Sequence, residues 1–356
     1  MSAAHNVIRS EILNLSAYTV ADAQGMIKLD AMENPYRLPE ALQLELATRL
    51  AQLELNRYPI PTYAHLKTLL STQCGIPAGF PVVLGNGSDE LITLLTVACA
   101  KPHAKVLAPV PTFVMYDMAA RLAGMEFIGV PLSDTFQLDF AAMMQAIEEH
   151  KPALSFLSYP NNPTGTLFDD AQIEAIIAAV GDTGIVVIDE AYQAFSPNSF
   201  MSRIAEFSNV VVMRTLSKVG MAGIRLGYLS GTPAIVNELE KVRPPYNVNV
   251  LTETTAIVLL EHMDVFVQQA QQICLERTRM AQALRQISGV EVIDSDANFL
   301  LIRLANADLV FAKLREQKIL VKNVGKMHTS LKDCLRITIS FAEENNLFLN
   351  ALQNAL

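Results

Sequence analysis

Val210-Val211-Val212-Met213-Arg214-Thr215-Leu216-Ser217-Lys218 opens as a run of β-branched residues and closes on small hydroxyls and a cation. Such a run reads as a buried strand. Open α/β sheets bind their ligands outside the carboxyl ends of their strands, which is where Lys218 falls. Partial burial there lowers an amine's pKa and makes it a nucleophile toward an aldehyde. An isolated lysine in a loop is ordinarily only solvated, but the neighbours argue otherwise. Thr215 and Ser217 can donate hydroxyl hydrogen bonds, Arg225 offers a guanidinium fork for phosphate, and Gly223 and Gly227 allow close backbone approach.

The rest of the chain is consistent with a large α/β enzyme. Its 356 residues suffice for one large or two medium domains, and a hydrophobic fraction of 51% supplies a sizeable core. A formal charge of −9, with no basic face, argues against a nucleic-acid partner but not against a small anion held by a few local cations. Cys74, Cys99, Cys274 and Cys334 are far apart and form no CxxC pair, so they read as reduced thiols. The chain shows no signal-peptide apolar region and no apolar run of bilayer length. The expectation is a cytoplasmic protein with no membrane partner.

Residues 1–35 read as an N-terminal arm, ending in the polar turn Asp30-Ala31-Met32-Glu33-Asn34-Pro35. From Val82 to Ser230 strands alternate with helices, which predicts a mostly parallel sheet covered on both faces. After Pro244-Pro245 the pattern changes to one long helical region, 252–287, and then to shorter strands. The expected division is a large α/β domain over 36–247 and a smaller α+β domain over 248–356, joined by the arm.

Several clusters stand at predicted strand ends. Gly85-Asn86-Gly87-Ser88-Asp89-Glu90 opens a helix, so it is either a phosphate cradle or an ordinary N-cap. Asn162-Pro163-Thr164-Gly165 could be only a turn. Asp189 ends the apolar run Ile185-Val186-Val187-Ile188, so it either caps a helix or is a partly buried carboxylate that wants a cation. Tyr192 could project beside it or merely pack. Together these groups meet the needs of pyridoxal phosphate: an amine to attach it, a carboxylate for its ring nitrogen, donors for its ring oxygen, and a phosphate cradle with an arginine.

In order, Gly-Asn-Gly-Ser-Asp-Glu, Asn-Asn-Pro-Thr-Gly, Asp-Glu-Ala-Tyr, Thr-Leu-Ser-Lys and Gly-Ile-Arg-Leu-Gly resemble the motifs of the fold-type I aminotransferases. Leu15-Ser16-Ala17-Tyr18, Met32-Glu33-Asn34-Pro35-Tyr36, Asn56-Arg57-Tyr58-Pro59 and Cys334-Leu335-Arg336-Ile337-Thr338 narrow the resemblance to the histidinol-phosphate aminotransferases. It covers nearly the whole chain.

The resemblance implies a pyridoxal 5'-phosphate enzyme that moves an amino group between L-histidinol phosphate and 2-oxoglutarate in histidine biosynthesis. It makes Lys218 the lysine that carries the cofactor and shuttles the proton, and Asp189 the partner of the ring nitrogen. Asn162 and Tyr192 meet the ring oxygen. Phe113 stacks on the ring, where the family often has tyrosine. Ser88 and Asp89, with Thr215, Ser217 and Arg225, hold the phosphate. Tyr58 would reach the phosphate in a neighbouring subunit, which implies a homodimer with shared sites. Arg336, Tyr18 and Asn34 would lie near the substrate. Lys322 stands where some members have arginine and so lacks the bidentate fork. Asp30 and Met32 fall where asparagines are frequent. Arg214 has no role in the family pattern and is expected in a surface ion pair.

Three other readings remain open at this stage. The chain could act on aromatic amino acids, or decarboxylate a phosphorylated amino acid with the same cofactor. A cofactor-binding regulator would also need the lysine and the aspartate, but no basic DNA-binding module accompanies them here.

Overall fold

The run Val210–Thr215 is a strand buried along its whole length, as its β-branched composition predicts. In this computed structural model, which describes residues 3–15, 17 and 21–356, it lies near the middle of a seven-stranded sheet. Helices Ala3–Val7 (α1) and Ser10–Leu13 (α2) precede a short strand, Ile27–Leu29 (β1). Glu40–Ala51 (α3) and Ala64–Gln73 (α4) follow, and then Val82–Gly85 (β2) and Ser88–Cys99 (α5). The alternation continues through Lys105–Val110 (β3), Met115–Leu122 (α6), Glu126–Pro131 (β4) and Phe140–His150 (α7). Leu154–Ser158 (β5), Asp170–Val180 (α8), Ile185–Asp189 (β6), Val210–Thr215 (β7), Gly227–Gly231 (β8) and Pro233–Val242 (α9) complete the unit.

The sheet order is β2-β8-β7-β6-β5-β3-β4. Every pairing is parallel except those of β8, which runs against both β7 and β2. The chain leaves β3 toward β4 on one side and then crosses to β5 on the other. That reversal opens a crevice at the carboxyl edge. Because β8 is reversed, its amino-terminal end, just after Arg225, reaches the same edge. Both faces of the sheet are covered, and β5, β6 and β7 are buried almost throughout. Each valine or isoleucine so buried contributes roughly 1.5–3 kcal/mol.

The remainder comprises Val250–Glu261 (α10), Met263–Arg285 (α11), Val290–Ile293 (β9), Phe299–Leu304 (β10), Ala307–Glu316 (α12), Ile319–Asn323 (β11), Cys334–Thr338 (β12) and Ala342–Ala355 (α13). Its sheet has the order β1-β11-β12-β10-β9, so the strand at residues 27–29 is contributed by the amino-terminal segment. Three residues are too few to show a period of two, and the sequence reading placed them in the arm.

The single helical region expected over 252–287 is two helices that meet at His262, whose φ of −118° and ψ of 37° are not helical. The break separates two packing partners. α10 lies on α3 and α4 of the large unit, whereas α11 packs on β9 and α13 and bridges to the large unit at residues 193–195 and at the lysine turn. A boundary near Val248 would give α10 to the smaller unit; its contacts are with the larger one.

Candidate active site

The carboxyl edge gathers Ser88, Asp89, Phe113, Asn162, Asp189, Tyr192, Thr215, Ser217, Lys218 and Arg225 around one cavity, together with Met32, Ser158 and Ala191. They come in short clusters from the ends of several strands, Ser88 and Asp89 after β2, Phe113 after β3, Asn162 after β5, Asp189 and Tyr192 at the end of β6 and Thr215, Ser217 and Lys218 at the end of β7, so the sheet does the assembling.

Lys218 follows β7 in a kinked turn, Ser217–Met221, broken at Gly220. Gly220 makes the turn possible: its φ is +140°, and a Cβ there would stand 3.0 Å from the Phe266 ring and 3.1 Å from Asn34 Nδ2. Lys218 Nζ donates to the Ala31 carbonyl at 3.0 Å. Burial, reinforced by the Arg336 guanidinium, lowers its pKa from 10.5 to about 8. A neutral amine is therefore accessible near physiological pH.

Asp189, at the end of β6, is 3% exposed. Its Oδ1 accepts from the Ala191 backbone N–H at 3.1 Å, and its Oδ2 accepts from the Tyr116 hydroxyl at 2.6 Å. Burial raises its pKa to about 6 in spite of those two donors. Tyr192 is also buried, its ring edge-on to Phe299 at 5.2 Å.

The cradle lies at the amino end of α5. Gly87 occupies the N-cap with φ +83° and brings no capping side chain, so the first N–H groups of the helix face outward. Glu90, three residues into the helix, accepts from the Asn86 N–H at 2.6 Å and from Asn247 Nδ2 at 2.8 Å, which secures the turn. Arg225 arrives in a left-handed conformation, φ +53°. Its Nη1 donates to Ser217 Oγ at 3.2 Å, and its Nη2 lies 3.4 Å from Asp89 Oδ2. Thr215 Oγ1 donates to Ser217 Oγ at 2.9 Å. A Cβ on Gly87 would come within 2.5 Å of Arg225 Nη2, and one on Gly227 within 2.6 Å of the Ser88 N. Both glycines are needed to bring helix, guanidinium and hydroxyls together.

This donor set fits a phosphate monoester, and the amine and the buried carboxylate line the same cavity. That is the arrangement pyridoxal phosphate requires.

Arg336, on β12, adjoins the cavity. It is 6% exposed, and its guanidinium donates to Asn162 Oδ1 and, at 2.8 Å, to the Asp30 carbonyl. It lies over the Phe299 ring at 5.4 Å. Lys322 is its register partner across the β11–β12 ladder. Two cations directly opposite repel, and the Asp30 carboxyl stands beside them. Burial pushes that carboxyl up, while Lys28 and Lys322 draw it down.

Other expected residues lie elsewhere. Asn34 donates to the Val219 carbonyl at 2.7 Å and to Gln269 Oε1 at 2.9 Å, so it braces the lysine turn and does not line the cavity. Tyr58 is 79% exposed and stacked on Tyr246 at 4.5 Å. Tyr18 lies outside the described residues. Arg214 is not in a surface ion pair. It is buried on β7 and pairs with Glu190 at 2.8 Å, also donating to Ser199 Oγ at 2.8 Å and the Cys74 carbonyl at 3.0 Å. Its position inside a fully buried strand dictates this, because a charge there must be paired.

Sequence reasoning missed Tyr116. On α6 it has the spacing of a core residue, and only the fold brings its hydroxyl to Asp189, 73 positions away.

The family model for class I and II aminotransferases matches residues 24–352. Histidinol-phosphate aminotransferase 1 of Burkholderia lata is 55% identical over 356 residues, covering 100% of this chain and 99% of the relative. Histidinol-phosphate aminotransferase 2 of Cupriavidus pinatubonensis is 54% identical, covering 98% and 96%. Among solved structures, the Sinorhizobium meliloti histidinol-phosphate aminotransferase in complex with pyridoxal-5'-phosphate superposes with a TM-score of 0.85 at 22% identity, covering 97% of this chain and 96% of that one. The architecture is that of fold type I. The chain belongs to the class I and II aminotransferases and, within them, to the histidinol-phosphate aminotransferases.

Proposed function

We propose that this protein transfers the amino group of L-histidinol phosphate to 2-oxoglutarate, with pyridoxal 5'-phosphate bound in the cavity beneath Lys218. The observation that carries the reading is the convergence of an amine of lowered pKa, a buried carboxylate and an arginine-bearing helix N-terminus on one crevice, in a chain 55% identical to a histidinol-phosphate aminotransferase.

When bound, the cofactor supplies an electron sink for the pair left behind when a proton leaves the carbon next to the amine. The chain's own residues do the rest. Lys218 Nζ would hold the cofactor and is placed to accept and return that proton. Asp189, as an anion, would hold the ring nitrogen, Asn162 and Tyr192 would hold the ring oxygen, and Phe113 would cover the ring face. Ser88, Asp89, Thr215, Ser217 and Arg225 hold the phosphate. Arg336 would receive the anionic end of either substrate, with Lys322 as its helper; the resemblance adds Tyr18 as a substrate contact, while Asn34 acts through the lysine turn it braces. The side chain of Tyr58, exposed in one chain, suits a role across a homodimer interface at the partner's phosphate. A cytoplasmic location goes with this reading, and among the described residues no helix is long and apolar enough to cross a membrane.

The test mixes cofactor-loaded protein with L-histidinol phosphate alone and follows its absorption. Conversion to the aminated cofactor, reversed by 2-oxoglutarate, is expected. Conversion by phenylalanine but not by histidinol phosphate would move the assignment to aromatic amino acids. Release of carbon dioxide without need of a keto acid would make the protein a decarboxylase.

Two further outcomes test the parts. Arg336→Ala should raise KM for both substrates by roughly 10- to 100-fold, the loss of a charged hydrogen-bonded fork; a rise for one alone would refute a shared anion site. Gly87→Ala should weaken cofactor binding by about tenfold or more, because its methyl group displaces Arg225 and its φ is strained. Fluorescence titration of the cofactor-free protein would read it.

A further inference from the structure

Among the described residues, Tyr116 is a close side-chain donor to Asp189, and the proposed chemistry leaves it without a task. Its ring is wholly buried on α6, stacked on Phe156 at 4.5 Å and 10°, and edge-on to Phe113 at 5.7 Å. Those contacts fix the ring, and with it the direction of the hydroxyl. The hydroxyl meets Asp189 Oδ2 at 2.6 Å, a length typical of an O–H bound to an anionic oxygen. The Ala191 N–H holds the other oxygen at 3.1 Å.

We propose that Tyr116 is a positioning residue for the cofactor: it aims the Asp189 carboxylate and keeps it anionic, so that the shared proton stays on the ring nitrogen. The inference rests on the assignment of Asp189 to that nitrogen. Two donors, one on each oxygen, prevent the carboxylate from rotating and leave each oxygen a lone pair for a third donor. They also lower its basicity relative to the pyridine nitrogen it faces. Without the phenol, a buried carboxyl whose pKa is already about 6 would hold its proton more tightly still. Burial and the neighbouring Asp189 charge push the Tyr116 phenol well above its ordinary value, so it stays protonated and remains a donor.

The test is the ring-nitrogen chemical shift of [15N]pyridoxal phosphate bound to wild type, Tyr116→Phe and Asp189→Asn, recorded on holoenzyme whose fold is verified by thermal melting. The phenylalanine keeps the stacked ring and removes only the hydroxyl. Wild type should show a protonated nitrogen. Tyr116→Phe should shift the proton-sharing equilibrium toward the carboxyl by roughly 10- to 100-fold, the usual worth of a hydrogen bond to a charged group. Asp189→Asn should give an unprotonated nitrogen.

A wild-type shift in Tyr116→Phe would overturn the proposal and leave the hydroxyl a packing feature. An identical shift in wild type and Asp189→Asn would instead overturn the assignment of Asp189. If Tyr116→Phe fails to fold, 3-fluorotyrosine at position 116, a stronger donor, should hold the nitrogen at least as fully protonated as in wild type. Any loss of protonation there would sink the idea.

Discussion

Replacing Lys218 with alanine is expected to lower the transamination rate by about 10⁴-fold or more, because one group supplies both the covalent attachment and the proton transfer. No neighbour can substitute. Arg336 and Arg225, the cations that act on Lys218, are guanidinium groups that stay protonated. The variant should still fold, since Lys218 stands in a turn and, among the described residues, its amine bonds only the Ala31 carbonyl, at 3.0 Å. Removing an amine that burial already penalises also relieves strain on the folded state. Borohydride reduction of the cofactor-loaded protein, followed by peptide mass spectrometry, checks the attachment directly. The cofactor should be found on the peptide containing Lys218 in wild type and on no peptide of the variant. Cofactor on another lysine would refute the assignment, whatever the activity.

Asp189→Asn is expected to act in opposite directions on stability and activity. In the cofactor-free protein the Asp189 carboxyl has a pKa of about 6 against an ordinary 3.8. The folded state therefore keeps its proton more firmly than the unfolded chain does. Below pH 3.8 the carboxyl is protonated in both states and nothing is lost. As pH rises from 3.8 toward 6 the unfolded chain ionises first, and stability falls. Above pH 6 the full penalty applies, on the order of 3 kcal/mol.

Asparagine carries no charge to bury, and the Tyr116 hydroxyl can rotate to accept from its amide while Ala191 N–H donates to its oxygen. The cofactor-free variant should thus be the more stable at pH 7 by up to about 3 kcal/mol, with the gain vanishing near pH 4. Transamination should fall on the order of 10³-fold, since a buried anion matched to developing charge is lost. Urea unfolding at both pH values, beside single-turnover rates, checks the pair. Equal stability at pH 7 would mean that the carboxylate is not penalised in the folded chain.

The strand ends were the most legible part of the molecule. β6 and β7 are continuous apolar runs that stop abruptly at Asp189 and at Thr215, and the hydroxyls and cation beyond them have no reason to be there in a merely structural loop. The phosphate cradle was half legible. Gly85 to Glu90 reads equally as a cap or an anion site, and the choice depends on Arg225, more than a hundred positions away. Arg214 misled, because a cation following four apolar residues could leave the strand or stay within it. It stays, and Glu190 on the adjacent strand end neutralises it.

Local composition by itself determined which segments became buried strands and which residue types stood at their carboxyl ends, because burial on both faces demands uninterrupted apolar runs and any polar group at their limits is conspicuous. Tertiary structure alone decided three things. It reversed β8, so that Arg225 meets the helix N-terminus of α5. It drew residues 27–29 into the smaller sheet, and it brought the Tyr116 hydroxyl to Asp189. Each is a contact between segments far apart in the chain, and the partner that makes it favourable leaves no periodic trace in either segment.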